Sequence, residues 1–219
     1  MGFEIKKYIL YLYTQYSHLV IGCIFLFLQL FIYIVNMGSE SMIFYYWYCN
    51  HIPLLFSIAF FFKQYQVVKG LIGVGLIPQI LWILDLSLYA IFSFQLFGFT
   101  QYFFELESIS QMISVLIIHI FSSLLAFLFT ISIKPNKNSL YISLAYIFLL
   151  QIITLMFTDP TLNINCVQEI CGLENFTPPL YSYYFFILTF VVMVLPAYIL
   201  QILVFNLYEN RIKREYKKK

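Results

Sequence analysis

Charge is what this sequence has least of. Only 10% of its 219 residues are Asp, Glu, Lys or Arg, against roughly 25% in soluble domains, and 62% are hydrophobic. With a mean hydropathy of +0.87, the chain has too little polar surface to face water on all sides. The net charge is only +2, and the basic residues sit at the ends of apolar runs rather than on an aromatic-interleaved face, which excludes a nucleic-acid partner. Position 6 is Lys6, not the Ser or Thr of a myristoylation signal, and the first apolar run has no small-residue cleavage site, so it reads as a retained helix. No repeat of roughly 20–50 residues and no matched pair of Gly/Pro-broken helices is visible, which argues against an inverted-repeat transporter.

What is present is a series of apolar runs near or above the roughly 18–20 residues needed to cross about 30 Å of hydrocarbon. The expected fold is all-α: one polytopic membrane domain over residues 1–219 with about six transmembrane helices, near 16–36, 42–62, 67–85, 109–131, 140–158 and 180–206. The segment 86–104 is apolar but interrupted by Ser93, Gln95, Gly98, Thr100 and Gln101, and reads as re-entrant or interfacial. Positive charge supports that choice. With six spans all twelve Lys and Arg residues, from Lys6 and Lys7 through Lys63, Lys69, Lys134 and Lys137 to the tail after Arg211, fall on one side. Both termini are then inside, no lysine or arginine lies within a span, and seven of the ten acids lie in outer loops: Glu40, Asp85, Glu105, Glu107, Asp159, Glu169 and Glu174. The basic tail serves as a topology signal or as a contact for anionic lipid.

Polar side chains inside lipid are costly, so several at one depth form a candidate site. Cys49 and Asn50 lie near the outer end of the second helix. Gln79, Trp82 and Asp85 share one face of the third, His119 lies in the fourth, and Asp159, Asn163 and Asn165 lie where the fifth leaves the membrane. These residues are expected to bind substrate, unless each merely bonds to a neighbouring helix. Cys49 is a candidate nucleophile, with His119 as its base, for acyl transfer near the headgroups; the alternative is a thiol that packs as a small apolar residue. The spacing of Cys166 and Cys171 suits a small-loop disulfide in an oxidising compartment, and no second cysteine pair completes a zinc site. No metal and no cofactor is expected. Aromatic clusters at Phe44-Tyr45-Tyr46-Trp47-Tyr48 and Tyr181 to Phe186 read as interfacial belts, and Asn175-Phe176-Thr177 is a sequon weakened by Pro178.

Read together, Trp47-Tyr48-Cys49-Asn50, the run from Val74 to Asp85 with Pro78, Gln79 and Trp82, Phe97-Gly98-Phe99-Thr100-Gln101-Tyr102, His119, and Thr158-Asp159-Pro160 with Asn163-Ile164-Asn165 resemble a family of prokaryotic six-helix membrane-associated proteins. The resemblance covers roughly residues 42–205 and departs at Cys166, where the family has an aromatic residue. It implies the six-helix architecture and one shared polar site but no activity. The order of a Cys helix, a Gln/Asp helix, a His helix and an Asn-rich outer loop is more weakly similar to YwaF-type integral membrane proteins. An animal Cys/His phospholipid acyltransferase is a distant relative of that group; the likeness implies Cys49 as nucleophile and His119 as base.

The function expected is binding of a membrane lipid in a polar pocket facing the outer leaflet, with thiol-dependent acyl transfer as its enzymatic form. The alternatives are a non-catalytic structural or assembly subunit with protein partners in a membrane complex, or a small-solute permease. The setting expected is the plasma membrane of a prokaryote, with an organelle membrane as the alternative.

Overall fold

The computed structural model describes residues 2–37, 46–106, 108–171 and 177–217. Glu40, Glu107, Glu174, the start of the second expected helix, Phe44 and Tyr45, and the sequon residues Asn175 and Phe176 lie outside the described residues. Every regular element described is helical: α1 (Gly2–Val35), α2 (Tyr48–Phe61), α3 (Tyr65–Phe92), α4 (Ile109–Phe129), α5 (Lys137–Phe157), α6 (Tyr181–Thr189) and α7 (Leu195–Lys217). Five stretches are long and apolar enough to cross a membrane: Tyr16–Val35, Tyr65–Phe92, Ile109–Phe129, Lys137–Phe157 and Tyr181–Glu215. Phe27, Phe157, Tyr183 and Val192 are among many large apolar side chains on their outer faces that are more than half exposed, a surface suited to lipid rather than water. The chain is a polytopic all-α membrane protein.

α1 begins at Gly2 rather than near 16 and α7 runs to Lys217 rather than near 206, and α2 and α3 also depart from the expected lengths. α2 has 14 residues, about 21 Å of helix, so alone it is shorter than the hydrocarbon layer. It ends in a Schellman turn. Lys63 takes a left-handed conformation at φ 55°, its N–H bonds the Phe60 carbonyl at 3.0 Å, and the Gln64 N–H bonds the Ala59 carbonyl at 2.8 Å. α3 does not stop at Asp85 but runs two turns further to Phe92, where Ser93 (φ 53°) turns the chain. The segment read as re-entrant over 86–104 is therefore half helix, and only residues 93–106 form a connecting loop. The carboxylate of Asp85 suggests a helix end in the sequence, but its charge is neutralised by loop N–H groups, so the apolar run after it continues as helix.

α3 is the central helix and packs against α2, α4, α5 and α7. Its glycines set the spacing to α5. The Ser143 hydroxyl donates to the Gly70 carbonyl at 2.7 Å, and a Cβ on Gly70 would lie 2.7 Å from the Ser139 backbone carbonyl oxygen, so only glycine at position 70 admits α5 this close. α6 passes into α7 through a π-helical turn, Phe190–Val194. Pro196 explains it: the ring has no N–H to give the Val192 carbonyl and crowds it, and the wider turn absorbs that mismatch.

α1 repairs a similar defect in α2. Pro53 lies inside α2, and the carboxamide of Gln29 enters beside it, Nε2 donating to the Asn50 carbonyl at 2.9 Å and Oε1 accepting from the Leu54 N–H at 3.1 Å. These are the two groups that a regular helix bonds to each other. Gln29→Leu is expected to lower stability by about 1–2 kcal/mol, seen as a lower unfolding temperature of the purified protein in detergent. An unchanged temperature would show that the bridge contributes nothing.

The turns between α2 and α3 and between α4 and α5 meet at one end of the bundle. There Gln66 donates to the Lys134 carbonyl at 3.1 Å and accepts from the Asn136 N–H at 3.2 Å. Lys63, Lys134 and Lys137 thus share one end, hereafter the basic end; the opposite end is the distal end. Lys69 corrects an expectation. Instead of standing on the basic side outside the span it is the fifth residue of α3, 1% exposed and inside the bundle.

Candidate functional site

At the distal end, α2 begins, α3 ends, α4 begins and α5 ends, and their polar side chains fall into two groups. The first group holds the protein together. Gln79 donates to Ser122 Oγ at 2.7 Å and accepts from the Ser123 N–H at 3.0 Å, while Ser122 Oγ donates to the Ile118 carbonyl at 2.6 Å, so both ends of the carboxamide are spent on α4. Asp85 is fully buried. Its Oδ1 accepts from the Leu96 and Phe97 N–H groups at 2.8 and 2.9 Å, and its Oδ2 accepts from the N–H and hydroxyl of Thr100, each at 3.2 Å. The carboxylate is thus the anchor of the 93–106 loop.

The three residues after α5 are equally committed. Asn165 Oδ1 accepts from the Tyr48 N–H at 2.7 Å, one of the donors that the start of α2 leaves without a helical partner, and its Nδ2 donates to the Tyr46 carbonyl at 2.8 Å. Asn163 is left-handed at φ 44° and accepts from the N–H groups of Gln168 and Glu169, both at 3.0 Å. It shapes the loop that the Cys166–Cys171 disulfide closes. Asp159 is exposed and caps a short 3-10 turn, accepting from the Thr161 N–H at 2.9 Å and hydroxyl at 2.7 Å. These bonds, the backbone one foremost, hold its carboxyl below the usual carboxylate range. A depressed pKa stabilises the turn only while the group is ionised, so that contribution is present at neutral pH and fades as pH falls through the carboxylate range.

The second group keeps unused capacity. Trp82 is 4% exposed, and its indole N–H has no partner. Its ring stacks on the His119 imidazole, centroids 4.4 Å apart and planes at 21°, and meets Phe103 edge-on at 6.0 Å. The Tyr102 phenol lies beside the indole N–H without meeting it in hydrogen-bond geometry. His119 Nδ1 lies 2.9 Å from the Val115 carbonyl, which can only accept, so Nδ1 carries a proton and Nε2 of the neutral ring is left as an acceptor. The buried hydroxyl of Ser114, on the same helix, is also without a partner.

Cys49 is half-buried, and its thiol makes a weak contact with Asn50 Oδ1 at 3.7 Å. It makes no hydrogen bond to His119. The imidazole near Cys49 in sequence is His51, which bonds the Tyr146 hydroxyl, and the Tyr48 ring packs on that pair with its own hydroxyl on the Leu71 carbonyl at 2.8 Å. Gly75 makes room, since a Cβ there would lie 2.4 Å from that hydroxyl.

Among the described residues no three His, Cys, Asp or Glu side chains are grouped so that they could hold a metal ion. Sequence reasoning missed Gln29 and Tyr146. A lone amide in the apolar run of α1, opposite a proline-containing helix, is the signal that could have found Gln29. Tyr146 carries none, being one of 19 tyrosines. Comparison with family models, curated proteins and solved structures finds no match for this chain.

Proposed function

We propose that the protein binds a lipid or other amphipathic molecule at the distal end of the bundle, with its polar head at the level of Trp82, Ser114, His119 and Cys49. One observation carries this reading: the Trp82 N–H and the Ser114 hydroxyl are buried without partners inside a cluster where Gln79, Asp85, Asn163 and Asn165 are all satisfied. Buried polar groups are almost always bonded, so these two orphans, one of them on an indole stacked against an accepting imidazole, mark the place where a ligand supplies the missing atoms. By the positive-inside rule the distal end is the outer one.

The test is covalent capture of a photoactivatable diacylglycerol analogue by the protein in nanodiscs. Trp82→Phe keeps an aromatic ring at the position and removes the indole N–H; the lost hydrogen bond should lower capture about fivefold at sub-saturating probe. Equal capture by wild type and Trp82→Phe would overturn the reading. The finer expectation, acyl transfer through Cys49 with His119 as base, requires thiol and imidazole within hydrogen-bond reach. Because Cys49 bonds to Asn50 and His119 to Val115, the proposal stops at binding. A second reading, a structural or assembly subunit, is favoured by the satisfied state of Asp85, Gln79 and Asn165; it predicts that Trp82→Phe leaves lipid capture unchanged.

A further inference from the structure

A second unsatisfied group lies at the other end of the bundle. Lys69 is 1% exposed, its Nζ has no hydrogen-bond or ion-pair partner among the described residues, and its one favourable contact is the Phe127 ring, 5.5 Å from the nitrogen to the ring centroid. On α4 the buried Thr130 hydroxyl is turned back onto the Ala126 carbonyl at 2.8 Å. On α7, Gln201 donates to the Lys69 backbone carbonyl at 3.3 Å, leaving its own Oε1 buried without a partner. Among the described residues no carboxylate pairs with the ammonium: Glu209 and Glu215 lie further along α7, exposed and paired with Lys213 and Arg211 at 3.1 and 3.3 Å.

A buried ammonium with no counter-charge is destabilising, and a Met or Leu would fill the same space without that cost. Among the basic side chains described, Lys63, Lys134, Lys137, Arg211, Lys213 and Arg214 are exposed and Lys69 alone is buried. Access runs from the basic end. Gln66, one turn before Lys69 on the same face of α3, latches the α2–α3 turn to the α4–α5 turn, and Lys63, Lys134 and Lys137 stand on those turns. The Lys69 backbone therefore lies about 4.5 Å further into the bundle along α3 than Gln66, whose two hydrogen bonds latch the end that carries the three rim cations.

We propose that Lys69 is the floor of an anion-binding site at the basic end, which takes the phosphate of a lipid headgroup or a free phosphate when the Gln66 latch opens. The rim gathers the anion by long-range attraction, and Lys69 supplies the desolvated contact that holds it, in the way buried charges are ordinarily paired. Gln201 Oε1, an acceptor, suits a headgroup or phosphate monoanion that also carries a hydroxyl. The site is independent of the distal one.

The test uses the full chain in neutral detergent, with its unfolding temperature followed by intrinsic fluorescence at constant ionic strength. Phosphatidylglycerol should raise it by several degrees and phosphatidylcholine should not. If sodium phosphate alone reproduces the rise, the anion is a free phosphate; if only phosphatidylglycerol does, it is a headgroup. Lys69→Met should lose most of the rise while unfolding, without ligand, at or above the wild-type temperature; Lys134→Gln should keep at least half of it. An equal rise in wild type and Lys69→Met, or no rise with either probe, overturns the proposal. Should Lys69→Met fail to fold, wild type gives the answer. Acetylation of Lys69 by acetic anhydride, mapped by mass spectrometry, should slow at least threefold with the stabilising probe, and an unchanged rate, zero included, overturns it.

Discussion

Replacing Asp85 by alanine should detach the 93–106 loop and cost about 3–5 kcal/mol of stability. Three backbone N–H groups and the Thr100 hydroxyl converge on this fully buried carboxylate. Removing it leaves each donor without a partner at roughly 1–3 kcal/mol apiece, reduced where the loop relaxes toward water. Asp85→Asn should be milder, because one amide oxygen still serves Leu96 and Phe97 while the new NH2 faces the Thr100 N–H. Hydrogen exchange reads this locally: the Leu96, Phe97 and Thr100 amides should exchange about a hundredfold faster in the alanine variant, while α5 amides change only as far as global stability does. If Asp85 were instead a ligand-binding group with incidental loop contacts, those amides would keep wild-type rates and only lipid capture would fall.

The second large effect is expected at Gly70. A Cβ there would lie 2.7 Å from the Ser139 carbonyl oxygen and 2.7 Å from the Ile142 methyl, and the first of these is backbone that cannot rotate away. Gly70→Ala should therefore push α5 from α3 and strain the Ser143 hydrogen bond to the Gly70 carbonyl, costing about 1–3 kcal/mol. Gly73→Ala is the control: its Cβ would meet the Ser143 hydroxyl at 2.6 Å, and a hydroxyl turns aside. The unfolding temperature in detergent should fall clearly further for Gly70→Ala. The reverse order would mean that α5 is held by its side chains rather than by close approach to the α3 backbone.

How much of this is legible in the sequence depends on the kind of fact. Lipid-length apolar runs show the all-α membrane class, because the bilayer requires long apolar helices and little else produces them. The spacing of Gln79, Trp82 and Asp85 places them on one face of α3, since the helical period is fixed, and all three are buried. Depth along a helix is legible; partners across helices are not. Cys49 and His119 read as sharing a level, and in the structure each bonds to its own helix. Asp85 reads as a helix end because its neutralising donors lie in the loop that follows, 11 to 15 residues further on. Lys69 reads as a basic-side residue at the very start of a span, because the expected helix begins only at 67 and a charge is expected at its mouth. Only the abrupt Schellman turn at Lys63 shows that α3 has already begun at Tyr65. Gln29 is found only when its partner groups, freed by Pro53 on another helix, are seen beside it.

The central claim, that the distal polar cluster is a binding site and not merely packing, is tested most directly by a density map of the protein purified in its lipid. The account predicts a non-protein head between α3, α4 and the 93–106 loop, with an accepting atom within hydrogen-bond distance of the Trp82 N–H and a donor at His119 Nε2. A map in which the Trp82 N–H is instead bonded to a side chain such as Tyr102, with no density beside Ser114, would contradict it.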